Sequence, residues 1–195
     1  MQTALKLLQD TYGLGERYIL GGHSCGATLA FQCVIDGLRL PGGGGGGGGG
    51  SGDIVHPIAI LGTEGIYEMR LLRDTHRHIS AYQEFIQDAF GADESVWDAA
   101  SPAFRGKDGD GSSGVQRGWG SGRLAVLAHS AEDSLVDEGQ TKAMKESLVP
   151  WESQESRRVI VLPLTGEHDE PWRKGEELVR AIAVTVQTLQ EMDLV

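Results

Sequence analysis

The segment Gly22-His23-Ser24-Cys25-Gly26 constrains the fold of this chain more than any other stretch. It follows the apolar run Tyr18-Ile19-Leu20, part of a predicted strand at 17–22 that has the unalternating character of a strand buried in a parallel sheet, and it precedes a helix-like run at 27–35. Strand, Gly-x-Ser-x-Gly and helix form the context of a nucleophile elbow, a sharp turn that lifts a serine hydroxyl off the sheet. Such a turn leaves little room for side chains, so glycine is expected on both sides of Ser24. The alternative is a glycine-rich turn in which Ser24 only caps a helix; the flanking pattern favours the elbow.

Strands and helices alternate along the rest of the chain. This alternation predicts an α/β fold with a mainly parallel sheet, right-handed crossovers and flanking helices. The predicted strands are 17–22, 56–62, 124–129 and 158–163, and the predicted helices are 2–11, the run after the elbow to about 37, 139–149 closed by Pro150, and an amphipathic C-terminal helix at 173–192.

We expect one α/β domain over residues 1–195. Nine consecutive glycines at 42–50 cannot bury apolar surface and are costly to order, so 41–53 is predicted to be a flexible loop. Helical periodicity over 64–104 predicts a cap-like helical region. The Gly-, Ser- and charge-rich segment 105–122 is predicted to be a mobile loop.

Composition narrows the function classes. The formal net charge of −11 disfavours nucleic acid and anionic membranes as partners, which leaves a small-molecule substrate. Cys25 and Cys33 lie about 12 Å apart on one predicted helix, too far for a disulfide, and no segment resembles a signal peptide. We therefore expect a cytoplasmic protein. No Cys/His cluster indicates a metal, so neither metal nor cofactor is expected; a homodimer stays open.

Three residues form a hydrolytic constellation in the order nucleophile, acid, base. Ser24 would be the nucleophile, and His168, which follows the fourth strand, would take and return its proton. The acid that orients the imidazole follows the third strand. We favour Asp133 because it lies within the loop after that strand; Asp137 is the alternative, although it could be a charge at a helix N-terminus, and Glu132 ranks third.

Stabilising an oxyanion requires two donors, and the sequence supplies one of them. The backbone N–H of Cys25, the residue after the nucleophile, is the expected first donor. The second usually comes from a loop after an earlier strand, and nothing upstream of Ser24 offers it. We therefore expect an N-terminally truncated fold that lacks its first strands, with an exposed sheet edge, poor solubility and a rate reduced about a hundredfold or more.

Together these segments resemble the fungal-type kynurenine formamidases, an α/β-hydrolase family of tryptophan catabolism and NAD biosynthesis. The similarity lies in 21–29, in His129-Ser130-x-x-Asp133-x-Leu135 and in Gly166-x-His168-x-x-x-Trp172. It implies hydrolysis of N-formyl-L-kynurenine to L-kynurenine and formate, with Ser24, Asp133 and His168 as the Ser-Asp-His triad. The family's His-Gly-Gly-x-Trp segment is absent, and the glycine tract and 105–122 look like insertions.

Two other functions stay open. The chain could be a general carboxylesterase-like hydrolase, or a non-catalytic remnant that only binds a partner. The substrate-binding residues are not identified by pattern; Trp172 and Tyr67 are aromatic residues near the ends of predicted strands.

Overall fold

The computed structural model describes residues 2–35, 38, 54–104, 114–154 and 156–195. Within these ranges the strands form one parallel sheet in the order β1-β2-β3-β4, as the alternating pattern predicts. The predicted loop 41–53 lies outside the described residues. The strands are β1 (Ile19–His23), β2 (Ala59–Thr63), β3 (Leu124–Ser130) and β4 (Arg158–Leu164).

Helices cover both faces of this sheet. Side chains of α2, α6 and α7 form the core on one face, and α9 packs on the other. In the described parts of the chain no helix has both the length and the apolarity to cross a bilayer. The helices are α1 (Gln2–Tyr12), α2 (Cys25–Gln32), α3 (Met69–Thr75), α4 (Ser80–Phe90), α5 (Glu94–Ala100), α6 (Gly114–Gly118), α7 (Glu138–Glu152), α8 (Glu170–Lys174) and α9 (Glu176–Glu191).

The segment between β2 and β3 has its own small core. Helices α3, α4 and α5 occupy the region predicted as cap-like, and they bury Leu72, Ile86 and Trp97 together with Val136 from the loop before α7. The segment from α3 to α5 is therefore a packed unit of its own, and Val136 attaches it to the sheet edge that bears the 130–137 loop.

Two tryptophans change the prediction for neighbouring segments. Of the mobile loop predicted over 105–122, residues 105–113 lie outside the described residues. The rest is ordered: 114–118 form α6, and Trp119 is fully buried, stacked on Trp151 with ring centroids 4.8 Å apart. Pro150 was expected to close its helix, yet α7 continues to Glu152. Burial of Trp151 holds that last turn in place, because a large aromatic side chain gains more from burial than a final helical hydrogen bond contributes.

The C-terminal helix is divided, contrary to the prediction of one helix over 173–192. Gly175 has a φ of 82°, in the left-handed region, and separates α8 from α9. The buried face of α9 carries Ala181, Thr185 and Leu189, whereas Ile182 is exposed. Glycine tolerates this backbone conformation where other residues are strained, so the break follows from one residue.

The parallel register brings the carboxyl ends of all four strands to one edge of the sheet. His23 pairs with Thr63, Thr63 with Ala128, and His129 with Pro163. The elbow, the residue after β2, and the loops after β3 and β4 therefore meet at this edge. Ligands in open α/β sheets bind at such an edge.

Candidate active site

Ser24 lies in a strained turn between β1 and α2. Its φ of 54° and ψ of −124° fall outside the regions that non-glycine residues favour. The turn is held by the Ser24 N–H, which donates to Thr63 O at 2.9 Å, and by the Ala27 N–H, which donates to Ser24 O at 3.0 Å. Strain of this kind persists only where surrounding contacts enforce it, and it is common at catalytic positions.

The two glycines of the elbow have different roles. A Cβ on Gly22 would lie 2.2 Å from Gly26 O and 2.6 Å from Ala27 N, so the start of α2 crosses directly over Gly22. A Cβ on Gly26 would meet no other described residue within 4 Å. The expectation that both must be small therefore has a steric basis at Gly22 and none at Gly26.

His168 and Asp133 are hydrogen-bonded to each other at this edge. The His168 Nδ1 lies 2.7 Å from Asp133 Oδ2, and the Asp133 side chain is fully buried. Asp133 Oδ1 also accepts from the N–H groups of Leu135 and Val136, each at 2.9 Å. Burial opposes ionisation of Asp133, but the hydrogen bond from His168 and the two from backbone outweigh it and hold the pKa of this carboxyl below its ordinary value.

The competing acids lie elsewhere. Asp137 is the N-cap of α7, and its Oδ1 accepts from Gly139 N at 2.9 Å. Glu132 is exposed. The structure thus brings Asp133 to His168, and it gives Asp137 the capping role that the helix-terminal alternative described.

His23 connects the elbow to the loop that carries His168. The His23 Nε2 lies 2.8 Å from the His168 carbonyl oxygen, to which it can only donate, and the two ring centroids are 4.7 Å apart. Burial lowers the pKa of His23, which favours the neutral ring. His23, the neighbour of the candidate nucleophile, therefore fixes the backbone of the candidate base.

Cys25 is the exposed first residue of α2. The N–H groups of the first helical turn have no partner within the helix and point out from its N-terminus. That position suits the expected oxyanion donor.

Pattern reasoning missed Glu64, which directly follows β2. Its side chain is completely buried, its φ is 48°, and both of its carboxylate oxygens accept from Ser130 N at 3.2 Å. Burial raises the pKa of Glu64 to about 8; the hydrogen bond from Ser130 opposes this shift, and the adjacent Asp133 adds to it. An acidic residue immediately after a buried strand, on the edge that carries the other site residues, was the available signal.

The two aromatic candidates for substrate contact differ in placement. Tyr67 is fully buried in the main core, with its ring edge-on to Phe31, so it does not line an open site. Trp172 is 54% exposed in α8, just after His168, and its Nε1 donates to Asp169 at 3.3 Å.

Two groups of side chains in the described ranges bring potential metal-ligand atoms within 4.8 Å of one another. One comprises His23, His168 and Asp169, and the other comprises Glu64, His129 and Asp133. Each group includes one member of the His168–Asp133 pair, whose facing atoms are already bonded to each other. A metal at either place would have to share a residue with that pair.

The sheet, its covering helices and the elbow define the class: the chain has the α/β-hydrolase fold. Thermogutta terrifontis esterase 2, phosphonylated by sarin, aligns with a TM-score of 0.63 at 13% identity over 100% of this chain and 65% of that one. An acetyl ester-xyloside bifunctional hydrolase from Caldicellulosiruptor lactoaceticus aligns with a TM-score of 0.54 at 12% identity over 90% and 56%. At such identities the likeness concerns the fold.

Sequence similarity is more specific, and it confirms the predicted resemblance to kynurenine formamidases. A kynurenine formamidase-like hydrolase of Fusarium equiseti is 35% identical over 98% of this chain and 59% of its own length. A kynurenine formamidase of Aspergillus versicolor is 33% identical over 90% and 62%. No protein-family model matches. The chain thus spans about three fifths of the length of these relatives.

Proposed function

We propose that this chain carries the catalytic residues of a serine hydrolase of the kynurenine formamidase type. Ser24 Oγ attacks the formyl carbon of N-formyl-L-kynurenine while His168 Nε2 takes its proton. His168 returns that proton to the aniline nitrogen as the C–N bond breaks, which leaves a formyl ester on Ser24. Water, deprotonated by His168, then releases formate and restores the serine.

The observation that carries this proposal is the His168–Asp133 hydrogen bond at the edge that bears the strained elbow. Asp133 accepts from Nδ1, so the imidazole presents Nε2 for proton transfer and its positive charge is stabilised when it forms. The His23 contact fixes the loop of the base next to the nucleophile's own turn.

The choice of substrate rests on different support. Two relatives, each about one third identical, have names that state or imply formamidase activity. The exposed indole of Trp172 is placed where the aromatic ring of such a substrate could stack. We place the reaction in tryptophan catabolism and NAD biosynthesis, and the two free cysteines suit a reducing, cytoplasmic compartment.

For oxyanion stabilisation, the described residues offer one expected hydrogen-bond donor, the Cys25 N–H. Loss of one donor from such a site costs about a hundredfold or more in rate. Formation of a covalent Ser24 adduct is therefore a more direct readout of the proposed nucleophile than turnover.

A fluorophosphonate probe tests the nucleophile. We expect labelling of the wild type, none of Ser24→Ala, and unchanged labelling of Ser153→Ala, an exposed serine whose Oγ donates to Pro150 O. Mass spectrometry of the peptide containing 22–26 locates the adduct. Equal labelling of wild type and Ser24→Ala would refute the proposal, and a folded chain that labels nowhere would favour the non-catalytic alternative.

A general esterase is the second candidate, because the structural neighbours are esterases. Rates with N-formyl-L-kynurenine and with short acyl esters of p-nitrophenol separate the two. A formamidase hydrolyses the formamide with the higher kcat/KM, whereas preference for the esters alone would leave only the hydrolase class.

A further inference from the structure

The carboxyl group of Glu64 lies next to that of Asp133. The oxygens of these two side chains lie within 4.8 Å of each other, together with a ring nitrogen of His129. Both carboxyl groups have no exposed surface. Two ionised carboxylates at such a separation, both buried from solvent, repel each other, so one of them is expected to hold a proton.

The hydrogen bonds around the pair indicate which group holds it. Asp133 accepts from His168 and from two backbone N–H groups, all of which favour its ionised form. Glu64 accepts from a single N–H, that of Ser130, shared between its two oxygens. The proton therefore belongs to Glu64, which can use it to donate to Asp133.

The nearest basic group does not supply a compensating charge. His129 Nδ1 lies 3.4 Å from Glu64 Oε2, but its Nε2 lies 2.9 Å from Val136 O and must donate there. In the neutral ring Nδ1 is then an acceptor, and burial lowers the pKa of His129, which favours that neutral form. Tyr67, which also lies near Glu64, is buried and brings no positive charge.

We propose that Glu64 is a positioning residue, an inference that rests on the proposed function. As a neutral acid, Glu64 donates a hydrogen bond to Asp133 and so fixes the carboxylate that orients His168. Its backbone, in the left-handed region, is tied to β3 through the Glu64 N–H, which donates to Ala128 O at 2.9 Å. The carboxyl is therefore delivered from a rigid strand end.

This arrangement makes the site sensitive to alkaline pH. Ionisation of Glu64 near pH 8 would place a second negative charge against Asp133 and remove the bond between them. The groups that face Glu64 are Asp133 from the post-β3 loop, His129 from β3 and Tyr67 from its own loop, and none of them would neutralise that charge. Reactivity of Ser24 should then fall as the pH rises through this value.

Two variants separate the proposed hydrogen bond of Glu64 from the space that its side chain fills. Glu64→Gln keeps the shape and supplies an amide N–H to Asp133, whereas Glu64→Met fills the space without a donor. We expect the fluorophosphonate labelling rate of Glu64→Met to fall about tenfold or more at pH 7, and that of Glu64→Gln to fall less. The alkaline loss of reactivity seen in the wild type should be absent in Glu64→Gln.

A direct titration decides the matter without catalysis. With ¹³C-carboxyl-labelled glutamate, the resonance that is missing from Glu64→Gln should titrate near pH 8 in the folded wild type. Ionisation near the ordinary glutamate value, or an alkaline limb that persists in Glu64→Gln, would overturn the inference. If Ser24 does not react with the probe, the proposed function fails, while the carboxyl titration still gives its own answer on Glu64.

Discussion

The elbow provides a steric test in which one substitution is made at two glycines of the same pentapeptide. In Gly22→Ala the new Cβ would lie 2.2 Å from Gly26 O, 2.3 Å from Gly26 C and 2.6 Å from Ala27 N. All three are backbone atoms of the first turn of α2 and cannot rotate away. Reaching a separation of about 3 Å requires α2 to move by roughly 0.8 Å, and overpacking of this kind costs about 1–3 kcal/mol or more.

The matched control is Gly26→Ala. Among the described residues its Cβ would meet nothing within 4 Å, and in the first turn of α2 alanine gains over glycine at most the roughly 1 kcal/mol that it gains in a helix interior. For a chain of this size, about 3 kcal/mol corresponds to a fall in Tm of roughly 6–12 °C. Gly22→Ala should therefore melt well below the wild type, and Gly26→Ala at or slightly above it.

Thermal unfolding followed by far-UV circular dichroism measures both variants under one condition. Labelling of Ser24 gives a second readout for Gly22→Ala, because a displacement approaching 1 Å in a reactive group can cost about a hundredfold. If the two variants melt within about 2 °C of each other, the close crossing of β1 and α2 does not constrain this turn, and the reasoning fails.

Three further predictions concern the site and its surroundings. Asp133→Asn should lower the Ser24 labelling rate about a hundredfold or more, because the amide loses the negative charge and can present an N–H to His168 Nδ1, which favours the wrong imidazole tautomer. Asp137→Asn should cost at most about 1 kcal/mol of stability and leave labelling close to wild type; timed probe assays and thermal melting measure the two effects. Tyr67→Phe should not destabilise, since the buried phenol oxygen has no hydrogen-bond partner among the described residues; a loss above about 1 kcal/mol in urea unfolding would contradict this. Because the pKa of Glu64 is raised in the fold, the folded state keeps a proton that the unfolded chain has lost. The wild type should therefore lose stability relative to Glu64→Gln as the pH rises from about 5 to 8, by on the order of 1 kcal/mol per pH unit; stability curves that run parallel for the two proteins would refute this.

Much of the architecture could be predicted because its signals are local. Buried parallel strands appear as short apolar runs, and all four predicted strands exist with ends shifted by a few residues. The order Ser24, Asp133, His168 placed each residue just after a strand, and the parallel register then brings those strand ends together.

The failures have non-local causes. Trp119 appeared to belong to a glycine-rich loop, and only its stacking on Trp151, far along the chain, shows why that segment is ordered. The break at Gly175 was hidden within a continuous helical pattern. Glu64 was missed because a single acid after a strand resembles an ordinary surface residue until the buried partners on β3 and its loop are known.

The contact between His23 and the His168 carbonyl joins residues 145 positions apart. During synthesis at about 5–20 residues per second, the elbow therefore leaves the ribosome roughly 7–30 s before the histidine that is proposed to activate its serine. Throughout that interval Ser24 lacks its proposed base, because the loop that carries His168 follows β4. A nascent chain would thus display an inert serine, and acquisition of probe reactivity would mark the moment at which β4 docks and the sheet edge is complete.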